Sequence, residues 1–307
     1  MVPSGSSCEL KPICGKTPLS RPLSHFPSLL SKTTIRCLYT NAQCLTNKIT
    51  ELTELCTQYL PQLVAVTETW FQPHISDSEL DIRDMSLFRR DRMTPGGGVA
   101  LYYSRQILCK EITDDDLLLQ DTLWCSVRMV TGEDCIVGVI YRPPSASESF
   151  NHKLLQQIRL VASRYRKNIL IMGDFNLPNL LRNHTHPVNS LDSDFHELLQ
   201  DLPLYNHVLN HTRYRGMDTP SLLDLILTSE ETVIESIVYD TPLGLSDHMV
   251  LIYDYVCQAE RASDAHKTVR KVNRAELSNA FQNITDWSRE CNDVHQYWSI
   301  LLGKTHR

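Results

Sequence analysis

The sequence predicts an α/β protein built on mixed sheets. Three observations carry this. A strand–helix–strand order opens the ordered part of the chain, a group of strand-like runs without helical pattern fills its middle, and strands and helices alternate again toward residue 256. The 307 residues are enough for one large domain or two average ones, and a hydrophobic fraction of 42% supports a real core.

Residues 1–33 are rich in Ser and Pro without a period and read as a flexible leader. "IRCLYTNAQCL" follows as a short strand running into a turn. In "LTNKITELTELCTQYL" the apolar positions Leu45, Ile49, Leu52, Cys56 and Tyr59 fall at three- and four-residue steps, so an amphipathic helix is expected, stopped by Pro61. "LVAVTETW" is a buried strand with Glu68 at its end. "GGGVALYYS", "DTLWCSVRMV" and "EDCIVGVIYRPP" then read as antiparallel hairpins. "SESFNHKLLQQIRLVASRYRK" has its apolar residues on one side of a helix. "ILIMGD" is a strand, residues 192–202 a helix, and "SLLDLILTS" and "HMVLIYDYV" the last two strong strands. This gives an ordered domain over 34–257. Residues 258–307 are expected to form a helical linker or extension outside it, anchored by Leu277, Phe281 and Trp287.

Composition excludes several classes. No apolar stretch reaches the ~18 residues that span a bilayer, and the N-terminus has no signal-peptide core, so no membrane is involved and an intracellular protein, nuclear or cytoplasmic, is expected. The ten cysteines include no C-x-x-C pair and no tight spacing, which argues for reduced core residues rather than disulfides or zinc. Net charge is −6, but residues 1–36 carry +4 and residues 258–307 carry +2, leaving −12 between them. Bulk coating of nucleic acid by charge is disfavoured, while a site that collects divalent cations is permitted and local basic groups can still track a backbone.

Polar residues recur where strands end. The first strand ends at Asn41, the second at Glu68, "IVGVIY" at Tyr141, and "ILIMGD" at Asp174 with Asn176 just beyond. Asp224 sits in an apolar run, and Ser246-Asp247-His248 precede the last strand. Taken singly, each has a plain alternative. Asp174 suits a turn cap, Asp247–His248 an N-cap, Asp224 a buried hydrogen-bonded group, and Tyr141 beside Pro-Pro simple packing. Together they suggest metal-assisted phosphoryl transfer. Glu68 and Asp247 are the hard-oxygen ligands a Mg²⁺ ion needs. Asp174 would accept a proton from water and Asn176 would fix that water or a phosphate oxygen. His248 would donate to the phosphorane, with Asp224 holding its imidazole. Tyr141 and Asn41 would donate to developing negative charge. By contrast "PGGGVA" lacks a following Gly-Lys-Ser/Thr and reads as a hairpin turn, and His184-x-His186 has no supporting ligands.

"GDFN", "SDH", the Glu of "AVTETW", "GVIYRPP" and "TNAQCL" resemble the endonuclease/exonuclease/phosphatase superfamily over residues 35–256. "GGGVALYY" and "LLDLILTS" make the resemblance closer to the apurinic-type endonuclease domains of non-LTR, LINE-like retrotransposons of the jockey and chicken-repeat type. The resemblance implies a DNase I-like four-layer α/β sandwich, two mixed sheets face to face with helices outside. It also implies Mg²⁺ or Mn²⁺ dependence and nicking of double-stranded DNA for target-primed reverse transcription. It places Asn41, Glu68, Tyr141, Asp174, Asn176, Asp224, Asp247 and His248 in the active site, and adds Thr212 as a phosphate contact beside Asn41, Asn176 and Ser246. Gln43 and Cys44 depart from it, since relatives usually have a basic residue and a serine there. No aromatic-x-Asp-Asp reverse-transcriptase site is present, so the chain is expected to be a fragment or decayed copy, with the polymerase as a possible partner domain in the full element. Two other readings are a phosphatase or phosphodiesterase of the same fold acting on a small phosphoester or phospholipid, and a catalytically silent remnant that binds a partner.

Overall fold

A computed structural model of the protein describes residues 34–178 and 190–256. The expected leader, the His184-x-His186 pair and the expected extension lie outside the described residues.

The chain opens with β1 (Thr34–Asn41), α1 (Ile49–Tyr59) and β2 (Leu63–Thr67). The two strands are parallel, with Asn41 opposite Thr67, so the expected strand–helix–strand unit is borne out. The helix starts later than its apolar period suggests. Residues 42–45 are instead drawn into tight turns, with positive φ at Gln43 and Cys44. The N–H groups of Ala42, Cys44 and Leu45 donate to the carbonyls of Thr67, Glu68 and Thr69, each at 2.9 Å. The segments after β1 and β2 are thereby laced together. Leu60 takes the left-handed conformation that ends α1, its N–H returning to the Cys56 carbonyl, immediately before Pro61.

Then come β3 (Met85–Arg90), β4 (Val99–Ser104), β5 (Cys109–Glu111), β6 (Thr122–Arg128), β7 (Asp134–Tyr141), α2 (Glu148–Tyr165), β8 (Ile169–Asp174), α3 (Ser190–Asp201), β9 (Tyr205–Asn206), β10 (Asp224–Thr228), β11 (Ile234–Asp240) and β12 (Val250–Val256). They form two six-stranded mixed sheets, ordered β11-β12-β1-β2-β4-β3 and β5-β6-β7-β8-β10-β9. β6 and β7 pair as the expected antiparallel hairpin. The expectation for "GGGVALYYS" needs correction: β4 pairs with β2 and β3 in the other sheet.

Period-two alternation builds the layers. One set of side chains, including Cys37, Tyr39, Ala65, Leu101, Cys125, Val137, Met172 and Leu251, fills the core between the sheets. The opposite set divides. Leu38, Val64, Val66 and Ile252 pack on Leu52 and Cys56 of α1. Trp124, Ile136, Ile171 and Leu225 pack on Leu154, Ile158 and Val161 of α2 and on Phe195 and Leu198 of α3. The result is the expected four-layer sandwich. No helix among the described residues is long and apolar enough to cross a membrane.

One glycine is required by close approach. β7 and β8 run parallel, with Ile140 opposite Gly173, and a Cβ at Gly173 would collide with the Ile140 carbonyl. The glycine of "GDFN" therefore lets β8 reach Asp174 in register with Tyr141.

Candidate active site

The site forms where one end of each sheet meets the other. β1, β2, β7 and β8 deliver Asn41, Glu68, Tyr141 and Asp174. β10 is antiparallel to β8 and starts with Asp224 directly opposite Asp174. The turn before β12 carries Ser246, Asp247 and His248.

Asp174, Asp224 and His248 make a fully enclosed floor. Asp224 Oδ2 lies 2.7 Å from His248 Nδ1, and its Oδ1 accepts the Tyr39 hydroxyl at 2.7 Å. His248 Nε2 lies 4.0 Å from Asp174 Oδ2 and 3.5 Å from Asp247 Oδ1, too far for strong hydrogen bonds and close enough for charge to be felt. Asp174 Oδ1 accepts the Asn176 backbone N–H at 3.0 Å. The Asn41 amide nitrogen donates at 2.9 Å both to Asp174 Oδ2 and to Glu68 Oε1, so one side chain ties the two carboxylates.

These partners displace the acidities. Burial, followed by the charge of Asp224, raises the Asp174 carboxyl to about 8. Burial alone would lower His248, but the Asp224 charge and hydrogen bond, with Asp174 and Asp247 beyond, outweigh it and raise the imidazole to about 9. Burial and then the charges of Glu68 and Asp174 push the Tyr141 phenol up, so it stays a neutral donor. Its ring lies under the Arg92 guanidinium, 5.8 Å from centroid to Cζ. Arg92 is itself paired with buried Asp121, which also receives the Gly98 N–H at 2.8 Å.

The rim is more open. Glu68 and Trp70 both have positive φ, a conformation uncommon for such side chains and held here by the hydrogen bonds of the Trp70 N–H to Gly97 and of the Glu68 carbonyl to Cys44. The Trp70 indole N–H donates to Glu68 Oε2 at 3.2 Å. Beyond them lies a cavity of about 550 Å³ lined by Gln43, Lys48, Glu51, Glu68, Trp70 and Leu245, among others. From its lining, Gln43 Nε2 donates to Asp247 Oδ1 at 2.7 Å; Arg213 Nε donates to Asp247 Oδ2 at 3.0 Å.

All ten positions selected from the sequence join this network. Ser246 Oγ donates to the Asn41 carbonyl at 2.7 Å and accepts the His248 N–H at 3.2 Å. Asn176 has φ 49° and its side-chain amide donates to the Arg142 carbonyl at 2.9 Å. Thr212 lies deeper. It is fully buried, and its Oγ1 accepts the N–H groups of Leu223 and Asp224, each at 3.2 Å, bracing the start of β10.

Contributors not singled out for the site from the sequence include Tyr39, Trp70, Arg142, Arg213 and the Arg92–Asp121 pair. Arg142 is buried and donates to the carbonyls of Phe175 and Asn176, shaping the turn after β8. Only Arg142 had a signal, its place between Tyr141 and Pro-Pro.

The donor set suits a hard divalent cation. Among the described residues, the group whose ligand atoms lie within 4.8 Å of one another is Asp174, Asp224 and His248. Asp224 is already bonded to His248 Nδ1 and to the Tyr39 hydroxyl, so this trio is a closed polar cluster. Glu68, half-buried beside the cavity and next to Asp174 through Asn41, is the more open carboxylate.

Residues 135–252 match the family model described as endonuclease-reverse transcriptase. No curated protein sequence matches the chain. Solved structures share the fold. The endonuclease domain of TRAS1, a telomere-specific non-LTR retrotransposon, superposes with a TM-score of 0.60 at 16% identity, covering 74% of this chain and 100% of that one. The AP endonuclease LMAP from Leishmania major gives 0.58 at 11% identity, covering 79% and 93%. The 3′ phosphatase NExo from Neisseria, solved bound to a product DNA hairpin, gives 0.55 at 16% identity, covering 72% and 99%. The resemblance read from the motifs is borne out in the fold and in that family match.

Proposed function

We propose that this protein is a Mg²⁺- or Mn²⁺-dependent endonuclease that nicks one strand of double-stranded DNA. A nick of this kind leaves the 3′ hydroxyl from which a retrotransposon's reverse transcriptase starts, and such a polymerase is the partner domain that the reading implies. The observation that carries the reading is the double hydrogen bond of Asn41 to Glu68 and Asp174, with His248, held by Asp224, 4.0 Å from the same Asp174 oxygen.

Glu68 is the principal cation ligand in this reading. Asp247 carries the Arg213 guanidinium on one oxygen and Gln43 on the other, a cation that Glu68 lacks, so Asp247 would contribute through ordered water, which Mg²⁺ retains readily. A bound divalent ion supplies Lewis-acid polarisation of the phosphoryl oxygen and charge neutralisation at the leaving alkoxide. The chain's own residues do the rest. Asp174 takes the proton of the attacking water. Its lowered acidity brings its titration near neutrality, where a general base is most effective. The backbone bond from Asn176 to Asp174 Oδ1 leaves the Asn176 side-chain oxygen for the water or the phosphate. His248 is protonated at neutral pH and donates from Nε2 to the phosphorane, while Asp224 and Tyr39 fix its orientation. Tyr141 donates to a phosphate oxygen as charge grows, while Asn41, whose two amide hydrogens go to Glu68 and Asp174, holds those carboxylates in place. Ser246 and Thr212 serve the phosphate by bracing Asn41 and Asp224.

Supercoiled plasmid incubated with pure, folded protein should yield open circles with Mg²⁺ and none with EDTA. Absence of that product, with inorganic phosphate instead released from a small phosphoester, would move the assignment to a phosphatase of the same fold.

A further inference from the structure

The carboxylates of the site are held differently. Asp224 is bonded by Tyr39 and His248, Asp174 by Asn41 and the Asn176 N–H, and Glu68 by Asn41 and Trp70. Asp247 alone among them is paired with a permanent cation. Gln43 grips it at two points, donating from Nε2 to Oδ1 at 2.7 Å and accepting the Asp247 N–H on Oε1 at 3.2 Å. Arg213 holds the other oxygen at 3.0 Å, its side chain 27% exposed.

Arg213 is not a free surface side chain. Its N–H donates to the Ser221 carbonyl at 3.0 Å, and its carbonyl accepts the Ser221 N–H at 3.1 Å. The neighbouring Tyr214 N–H donates to the Asp247 carbonyl at 2.8 Å, so the backbones on both sides of the ion pair are joined. A guanidinium cannot lose its charge near neutral pH, and a divalent ion on the same carboxylate would meet strong like-charge repulsion.

We propose that Arg213 is a positioning residue that occupies Asp247 as a fixed cation. With Gln43 on the opposite oxygen, it confines the protein to a single divalent ion at Glu68. Arg213 supplies at Asp247 the positive charge that a second ion would bring. This rests on the metal-dependent reading above and gives it a stoichiometry.

The test is Mn²⁺ binding by the full chain, followed by the electron paramagnetic resonance signal of free Mn²⁺ and by calorimetry. The native protein takes up a single ion. R213A and R213Q gain a second, weaker one, while R213K keeps the native count. In metal-free buffer R213A lowers the melting temperature, and Mn²⁺ raises it by more than it raises that of the native protein, whereas a purely structural loss gains no more than the native protein does. Two ions on the native protein, or a single ion on both R213A and R213Q, would overturn the proposal. Plasmid nicking measured on the same samples separates the two ideas. A native protein that nicks and binds two ions defeats this inference alone. One that neither nicks nor binds Mn²⁺ defeats the nuclease reading itself.

Discussion

The floor and the rim of the site are built from the same residue types and behave differently. On the floor, Asp174, Asp224 and His248 are almost without solvent contact, and their hydrogen bonds go to each other, to Tyr39, to Asn41 and to backbone. On the rim, Glu68 and Asp247 stay half-buried, held by longer polar side chains beside a cavity. Burial without water makes the floor a place where protonation is set by neighbours. Partial exposure makes the rim a place where a ligand can exchange for protein partners. In the reading proposed above, proton handling and cation binding occupy separate halves of one site, with the Asn41 amide joining them.

The largest expected effect tests the floor. H248A and D174N should each lower plasmid nicking by about 10²- to 10⁴-fold, the range for loss of a positioned acid or base. Mn²⁺ affinity should fall far less, because Glu68 is untouched. Equal losses of nicking and Mn²⁺ binding in D174N would erase the division.

Next is pH. Asp174 is raised from 3.8 to about 8, and His248 from 6.5 to about 9. In both cases the folded protein holds a proton that the unfolded chain releases. The Asp174 contribution to stability is therefore complete below its unfolded value and is lost as pH climbs through 8, and the His248 contribution is complete below 6.5 and is lost through 9. The melting temperature of metal-free protein should fall steadily from about pH 5 to about pH 9. D174N should flatten the acidic part of that slope and melt higher than the native protein at pH 8. Since Mn²⁺ at Glu68 opposes the Asp174 proton, adding it should also flatten the slope. Calorimetric melts across a pH series measure all three.

The rim is tested by E68A. Removing the open carboxylate should weaken Mn²⁺ binding by at least ~10-fold, the loss seen when even an outer partner of a metal site is removed. The metal-free melting temperature should hardly change, because a half-buried side chain leaves no sealed cavity. Titration of Mn²⁺ against E68A, read beside its melt, decides this.

The floor was the more legible half. An aspartate at the end of "ILIMGD" contradicts its own strand's apolar run, and such conflicts stand out in a sequence. The helical and buried-strand periods also placed β1, α1, β2, α2, β8, α3, β10 and β12. Beyond these, β3 and β11 went unread. Both lie at the edges of their sheet, where few side chains are sealed from solvent, so the two-residue period fades. Strands as short as β5 and β9 have no period to read. In the site, Tyr39 alternates with its neighbours as any core aromatic does, and its hydroxyl meets Asp224 from 185 positions away. Gln43 reaches Asp247 from 204 positions away. It was noted as a departure from relatives, but what it binds had no local trace. Arg213, in the basic stretch "RYRG", looks like any exposed loop arginine.

Trp70 provides the finest probe of the rim. The residue is 41% exposed, its backbone is left-handed, and its indole nitrogen is tied to Glu68 Oε2. A partly exposed hydrogen bond of this kind contributes about 0.5–1.5 kcal/mol. W70F keeps an aromatic side chain, though a smaller one, and removes the indole donor, so Mn²⁺ affinity should drop by a few-fold, less than in E68A, with nicking reduced in proportion at subsaturating metal and restored by excess. The native protein should also report the ion directly, because a paramagnetic cation on Glu68 quenches a tryptophan bonded to it. Trp124 is sealed in the core against α2 and should be little affected. If W70F retains the full Mn²⁺ quench, the ion does not sit at Glu68, and the cation half of the site must be placed elsewhere.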